Sequence, residues 1–100
     1  MRAIKLLVVE LESPDRRLRR VAARALGEVG EPGALDPLLA ALSDPGVHVR
    51  SAAAIALGQL GDSTAVESLA HALSDPDSDV RWSAVHALVY RFTKTFTEWC

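Results

Sequence analysis

The sequence is poor in the residues that mark several other classes of protein. Its single cysteine among 100 residues is Cys100, the last one, so a disulfide framework within the chain is excluded. Aromatic residues make up 5%, and Glu10 ends the apolar run from Leu6 to Val9. That run is too short for a membrane span or for the apolar part of a signal peptide. We therefore expect a cytoplasmic protein that neither crosses nor binds a membrane.

The net charge is small, but basic and acidic residues are unevenly spread along the chain. The net charge of −2 gives the whole chain no general attraction for nucleic acid. Residues 1–24 hold seven Lys and Arg against three Asp and Glu, whereas residues 25–100 hold four against ten. Hydrophobic residues make up 49%, with alanine and leucine the most frequent, which favours closely packed helices over a sheet.

The chain repeats itself with a period of 31 residues. When residues 42–72 are moved back by 31 positions without a gap, they match residues 11–41 at 12 positions. A fixed period of this length is typical of a repeat array. The sequence predicts three units, at about 1–30, 31–61 and 62–91, followed by an apolar tail over 92–100.

Each unit has the pattern of two short helices. The first helices are predicted over Arg2 to Leu11, Pro32 to Leu42 and Ser63 to Leu73. In the middle unit we expect Asp44 to cap the second helix, Pro45 to open it, and Gly58 and Gly61 to end it. The second helices carry apolar residues at helical spacing, which predicts inward faces. In the first unit this face comprises Leu18, Val21, Ala22, Ala25, Leu26 and Val29, and its equivalents further on include Val49, Leu57, Val80 and Leu88.

The middle unit, read as SDPxxxVRxxAAxALGxLGDxxAVxxLxxAL, resembles the short HEAT-like repeats of the phycobilisome bilin lyase family. The resemblance covers residues 1 to about 91 and implies an all-α, right-handed α-solenoid of three two-helix units. In that family the Asp before the proline and the Arg after the valine form a structural ladder. The resemblance assigns this role to Arg19, Asp44, Arg50, Asp75 and Arg81, and the first unit departs from it with Ser13.

The exposed positions of the second helices vary from unit to unit, unlike the inward ones. In solenoids of this resemblance the second helices line the concave surface, so these positions are our candidates for partner binding. Trp82 is either a binding hot spot, flanked by His86 and Tyr90, or packs on the tail. The candidate ridge comprises Arg20, Arg24, Ser51, Ile55, Trp82, His86 and Tyr90.

A stripe of arginines marks the second helix of the first unit. Arg16, Arg20 and Arg24 recur every four residues and so lie on one helix face. Three interpretations stay open: a solvated face, a site for nucleic acid or another anion, or a head-to-tail contact with the acidic units of another copy. A phosphate track would need basic residues along several units, and Arg24, for example, becomes Ile55 in the next unit. Nucleic-acid binding is therefore not the expectation that we favour.

The tail departs from the repeat. Neither glycine nor proline follows Pro76, and Val85, Leu88, Phe92, Phe96 and Trp99 are spaced by three and four, which predicts that the last helix runs on. The alternation of threonines at 93, 95 and 97 is typical of a strand, but of the two we expect the helix. We expect Phe92, Phe96 and Trp99 to contact a second copy in a homodimer. The alternative is that the tail folds back over the open end of the third unit.

Residues for catalysis are scarce. His48, His71 and His86 form no H-x-x-x-H pair, and C-x-x-C, G-x-S-x-G and P-loop motifs are absent, so we expect no metal, cofactor or catalytic residue. The sequence favours a non-catalytic module that binds a protein partner on the concave face and self-associates. The resemblance implies one alternative, a component of a bilin lyase or isomerase, and the arginine stripe implies another, anion or nucleic-acid binding.

Overall fold

The computed structural model describes the backbone of residues 2–99 and the side chains of residues 4–93. All regular structure in this described part is helical. The elements in chain order are α1 (Arg2–Glu10), α2 (Arg16–Val29), a short 3₁₀ helix (Pro32–Ala34), α3 (Leu35–Ala41), α4 (Val47–Leu60), α5 (Ala65–Ala72) and α6 (Ser78–Trp99).

The helices form three stacked pairs, α1 with α2, α3 with α4, and α5 with α6. The second helices lie side by side, with α4 packed between α2 and α6. The molecule is flat, with extents of 42 × 34 × 17 Å. This is the α-solenoid that the repeat pattern predicts: no helix pair can bury its apolar residues alone, so each buries them against its neighbours.

The helix ends are set by local polar contacts. Gly30 and Gly61 end α2 and α4 with φ of 71° and 74°, a left-handed conformation that glycine adopts without strain. The predicted start of α4 at Asp44 and Pro45 is wrong by two residues, because α4 begins at Val47. The Asp44 carboxylate instead accepts a hydrogen bond from the Gly46 backbone N–H at 2.8 Å and turns the chain ahead of the helix.

The first helices are shorter than predicted. The stretch from Pro32 opens with the 3₁₀ turn, and α3 itself begins only at Leu35. Pro37 is the third residue of α3, where its missing N–H has no helical carbonyl to bond. The last of the three, predicted from Ser63, begins at Ala65.

The core lies between the two layers of helices. Its largest fully buried side chains are Leu26, Leu38, Leu57, Leu69, Val49 and Val80. The predicted inward face of the first unit is partly wrong, because Leu18, Val21 and Val29 are exposed. Among the described residues, α2 packs against another second helix on one side only, that of α4. Its opposite side has no such neighbour. Leu88 is half-buried and packs against the core from α6.

Gly58, which we predicted to end a helix, lies inside it, and so does its equivalent Gly27. Gly27 and Gly58 are buried within α2 and α4. A Cβ atom at Gly27 would lie 2.7 Å from the Ala56 Cα, and one at Gly58 would lie 2.7 Å from the Ala87 Cα. Real Cβ atoms do not approach so closely, so these glycines allow the backbones of adjacent second helices to touch.

The last helix is the longest, with 22 residues against 14 in α4. At the place of Gly27 and Gly58 it carries Val89, which is exposed. Phe92 is also exposed, whereas the side chains of Phe96 and Trp99 lie outside the described residues. None of the helices in the described part of the chain is long and apolar enough to cross a membrane.

Candidate binding groove

The arginine ladder joins each unit to the next. Arg19 donates from Nε to Asp44 Oδ2 at 2.9 Å, and Arg50 donates in the same way to Asp75 at 3.0 Å. Each of these arginines also donates from Nη1 to the loop ahead of its own helix, where Arg19 bonds the Ser13 carbonyl oxygen at 2.8 Å. One guanidinium thus fixes both the loop of its own unit and the carboxylate of the following unit.

These pairs are largely shielded from water. The side chains of Arg50 and Asp75 are 16% and 12% exposed. Burial by itself would raise the pKa of Asp75, but the Asp77 backbone N–H and the Arg50 guanidinium outweigh it and hold that pKa below its usual range. The ladder residues therefore have a structural role at the junctions between units.

The third arginine of the ladder keeps only half of this pattern. Arg81 donates from Nη1 to the carbonyl oxygens of Asp75 and Pro76, at 2.7 and 3.0 Å. Among the residues that the structure describes, no carboxylate lies within ion-pair distance of Arg81. The Arg81 guanidinium therefore keeps the bonds to the loop of its own unit.

A groove of about 370 Å³ lies between α2 and α4. The structure brings Arg20, Arg24, Ser51 and Ile55 of the predicted ridge together in it. The two arginines are exposed on the α2 wall, and Ile55 is 41% exposed on the α4 wall. The groove is lined by Arg20, Arg24, Glu28, His48, Ser51, Ala52, Ile55, Ala56 and Gln59.

The remaining ridge residues lie on α6. Trp82 is 62% exposed and stacks on His86, with ring centroids 4.4 Å apart, while Tyr90 is 47% exposed. Of the two interpretations of Trp82, packing on the tail is not what the structure shows. The helix carries the tail onward to Trp99 instead of folding it back over the ring.

A buried serine contact between α4 and α6 was not predicted. The hydroxyl groups of Ser51 and Ser83 share a hydrogen bond, and Ser83 is only 3% exposed. A buried hydroxyl needs such a partner, so this bond fixes α6 to α4 at Ser51, which also lines the groove. Ser51 and Ser83 are 32 residues apart, one more than the period, so comparison of equivalent positions does not reveal the pair.

The basic residues of the first unit extend to a second concavity. This wider hollow, of about 1010 Å³, lies between the loops that precede α2 and α4. Arg16, Arg17, Arg19 and Arg20 line one side of it. At the positions of Arg20 and Arg24, α4 has Ser51 and Ile55, so the basic surface does not continue along the array. A search of the described residues found no cluster of histidine, aspartate or glutamate that could hold a metal ion.

The class of protein follows from the fold together with a match to a family model. The model that describes HEAT repeats matches residues 4–89, and the chain belongs to the HEAT-repeat family. Twenty-one chains of solved structures match this protein. The comparison with curated proteins found no match.

One of the matching structures is the complex of CpcE and CpcF of phycocyanin lyase from Nostoc sp. PCC7120. This protein is similar to a chain of that complex, with 39% sequence identity and a TM-score of 0.82 over 88% of its own length. It spans 36% of the length of that chain. The predicted resemblance to phycobilisome lyase HEAT-like repeats is confirmed.

The comparison corrects one prediction. The scarcity of catalytic residues led us to expect a non-catalytic protein. That expectation is wrong, because the similar chain belongs to a lyase complex and so connects this repeat array with an enzyme. A chain can contribute to a catalytic complex without holding the reacting groups, so the scarcity of catalytic motifs did not justify that expectation.

Proposed function

We propose that this chain is a protein-binding HEAT-repeat component of a bilin lyase-type complex. The observation that carries the proposal is the 39% identity to a chain of a phycocyanin lyase complex over 88% of this chain. About four in ten of the aligned residues are identical, so the similarity extends beyond the course of the helices. The role of the chain in such a complex is to hold a protein, either the phycobiliprotein that receives the bilin or another lyase subunit.

The groove between α2 and α4 is our candidate for the surface that holds this protein. Its α2 wall carries Arg20 and Arg24, whose guanidinium groups recognise carboxylates, and its α4 wall carries the apolar Ile55. Trp82 adds an exposed aromatic ring on α6, and Trp and Arg are the residue types that contribute most often to binding hot spots. A segment that combines acidic and apolar side chains fits this surface.

Titration of the full chain with apo-phycocyanin, with and without a bilin, tests the proposal by calorimetry. Arg24→Glu reverses the charge on the α2 wall and should weaken binding at least tenfold, about 1.4 kcal/mol. Lys5→Glu, on the exposed side of α1, makes the same change of charge away from the groove and serves as the matched control.

Three outcomes are informative. Loss of binding by Arg24→Glu alone supports the groove. Equal weakening by both variants indicates a general charge effect and argues against it. Failure of the unmodified chain to bind apo-phycocyanin in either condition, or any lyase subunit offered in its place, contradicts the lyase proposal itself.

The observations favour a protein over a nucleic acid in the groove. The basic stripe is confined to α2, and the exposed residues that follow it around the ridge are Ile55, Trp82 and Tyr90. A duplex backbone would meet cations on one unit only. Binding of the chain to a DNA column that weakens steeply as the salt concentration rises would support the nucleic-acid alternative.

A further inference from the structure

The helix α6 carries a second apolar stripe that takes no part in the core. Trp82, Val85, Val89 and Phe92 are 62%, 49%, 59% and 74% exposed. The core side of the same helix is formed by Val80, Ala84 and Ala87, all buried. Four large apolar side chains on one side of one helix are more than scattered surface hydrophobics.

The stripe has the spacing of a coiled-coil seam. Its four residues are separated by three, four and three positions, and the sequence continues the alternation with Phe96 and Trp99. The α6 backbone remains helical as far as Trp99. Apolar residues at every third and fourth position produce a straight seam that packs against a second helix as knobs into holes.

This side of α6 is also where a further repeat would stack. The equivalent residues of α4 are Ala54 and Gly58, both buried, and Gly58 lies against Ala87 of α6. On α6 the corresponding positions hold Val85 and Val89. A helix cannot approach Val89 as closely as Ala87 approaches Gly58, so a regular HEAT unit does not fit there, whereas a helix at the ordinary interaxial distance of about 8–10 Å does.

We propose that this stripe is a self-association surface, and that two copies of the chain pair their α6 helices antiparallel about a two-fold axis near Val89 and Phe92. This inference does not rest on the lyase proposal. Val85, Val89 and Phe92 take no part in the surface proposed for the lyase partner, and Trp82 is the one stripe residue that belongs to both. A two-fold axis brings the same patch of both copies together, which suits a continuous apolar seam.

The residues that flank the seam favour a second copy over a different chain. Seams that select a different partner carry complementary charges beside the apolar positions. The described flanking residues here are Arg81, His86, Leu88 and Thr93, of which Arg81 alone carries a formal charge at neutral pH. Nothing in this set selects a partner of opposite charge.

The charges at the start of α6 favour the antiparallel arrangement. A parallel pair would place Asp77, Asp79 and Arg81 of one copy beside the same residues of the other. An antiparallel pair separates these like charges by roughly 30 Å, the length of α6, which exceeds the screening distance in physiological salt. It also places Arg81 near the partner's helix C-terminus, where the helix dipole favours a cation.

Sedimentation equilibrium of the full chain over the micromolar range tests the association, and we expect a monomer–dimer equilibrium. Val89→Lys introduces a charge at the centre of the seam and should raise the dimer dissociation constant at least about tenfold. Val21→Lys, at an exposed valine of α2, is the matched control and should leave it unchanged. Val85→Lys is a second seam variant, and circular dichroism checks that all variants remain helical.

A chain that stays monomeric at the highest concentration, or a dimer that survives both seam variants, overturns the proposal. Spin labels at Asp79→Cys in a Cys100→Ser background test the orientation: the antiparallel pair places the labels roughly 35 Å apart, the parallel pair under about 20 Å. The shorter distance refutes the antiparallel arrangement. Binding of apo-phycocyanin by the seam variants remains at the level of the unmodified chain, so this proposal and the lyase proposal fail separately.

Discussion

At the scale of single residues, the arginines of the ladder combine two functions that are usually separate. Arg50 closes the loop of its own unit through the carbonyl oxygen of Asp44, and it also bonds the Asp75 carboxylate of the following unit. These bonds are 2.9 and 3.0 Å long, and the charge of the guanidinium strengthens both. The geometry of one loop is thereby coupled to the position of the next unit.

Asp75→Asn should lower the free energy of unfolding by about 1 kcal/mol near neutral pH, because Arg50 loses its charged partner. The pKa of Asp75 is lowered in the folded chain, so the carboxylate stabilises the fold above its unfolded pKa of about 3.9, and this contribution is lost as the pH falls through the folded value. The difference between the variant and the unmodified chain should therefore be largest near pH 7 and shrink below about pH 4.

Urea unfolding at a series of pH values measures this difference. Glu12→Gln removes an exposed carboxylate and serves as the control, with little effect at any pH. A difference for Asp75→Asn that stays constant down to acid pH would show that the pair with Arg50 does not depend on the charge of the carboxylate.

At the scale of elements, α4 and α6 are in close backbone contact at a glycine. Gly58 allows the Ala87 backbone to approach α4, and the Ser51–Ser83 hydrogen bond fixes the same two helices. The array thus combines a steric requirement with a polar one at a single junction. Both depend on small residues, and neither tolerates a larger side chain.

Gly58→Ala should destabilise the protein by about 1–3 kcal/mol, because the added methyl group would overlap the Ala87 backbone and α6 would have to move away. The usual gain of about 0.5–1 kcal/mol for alanine over glycine in a helix is smaller than this cost. Thermal and urea unfolding measure the net effect.

Gly33→Ala is the matched control. A Cβ atom there would meet only the Ile4 Cδ1 at 3.8 Å, an ordinary contact, so this variant should be neutral or slightly more stable. Equal stability of the two variants would contradict the role that we assign to Gly58.

The helices and their order could be predicted from the sequence, because apolar periodicity and glycine positions are local signals. The role of Gly58 could not, since a glycine three residues before Gly61 looks like part of a helix end until the neighbouring helix is known. The exposure of Val21 likewise depends on which side of α2 receives a neighbour. Four of the seven candidate ridge residues meet in one groove because Arg20, Arg24, Ser51 and Ile55 occupy equivalent positions of adjacent units. The contact of Ser83 depends on packing that no single unit reveals.

At the scale of the whole molecule, the larger of the two core clusters crosses the boundaries between units. The buried leucines Leu26 and Leu57 belong to different units but to one apolar cluster, and α4 contacts both of the other second helices. Stability in such arrays comes from the interfaces between units as much as from the units themselves. We therefore expect the three units to unfold together.

Urea unfolding followed by two signals tests this expectation. Both tryptophans, Trp82 and Trp99, lie in or after the third unit, whereas circular dichroism reports on all helices. The two transitions should have the same midpoint if the array is cooperative. A lower urea midpoint by fluorescence than by circular dichroism would show that the third unit unfolds before the other two.

The direction of the ladder has a consequence for how such arrays can be lengthened. The middle unit carries Asp44, which pairs with the arginine of the preceding unit, and Arg50, which pairs with the aspartate of the following unit. A copy of this 31-residue unit inserted into the array would therefore bring both residues that it needs to pair with its neighbours. The first unit is different, because Ser13 stands where Asp44 and Asp75 stand in the others. A copy of the first unit could be followed by another unit. If it were placed after another unit, it would offer no aspartate to the arginine of that preceding unit, which would stay unpaired.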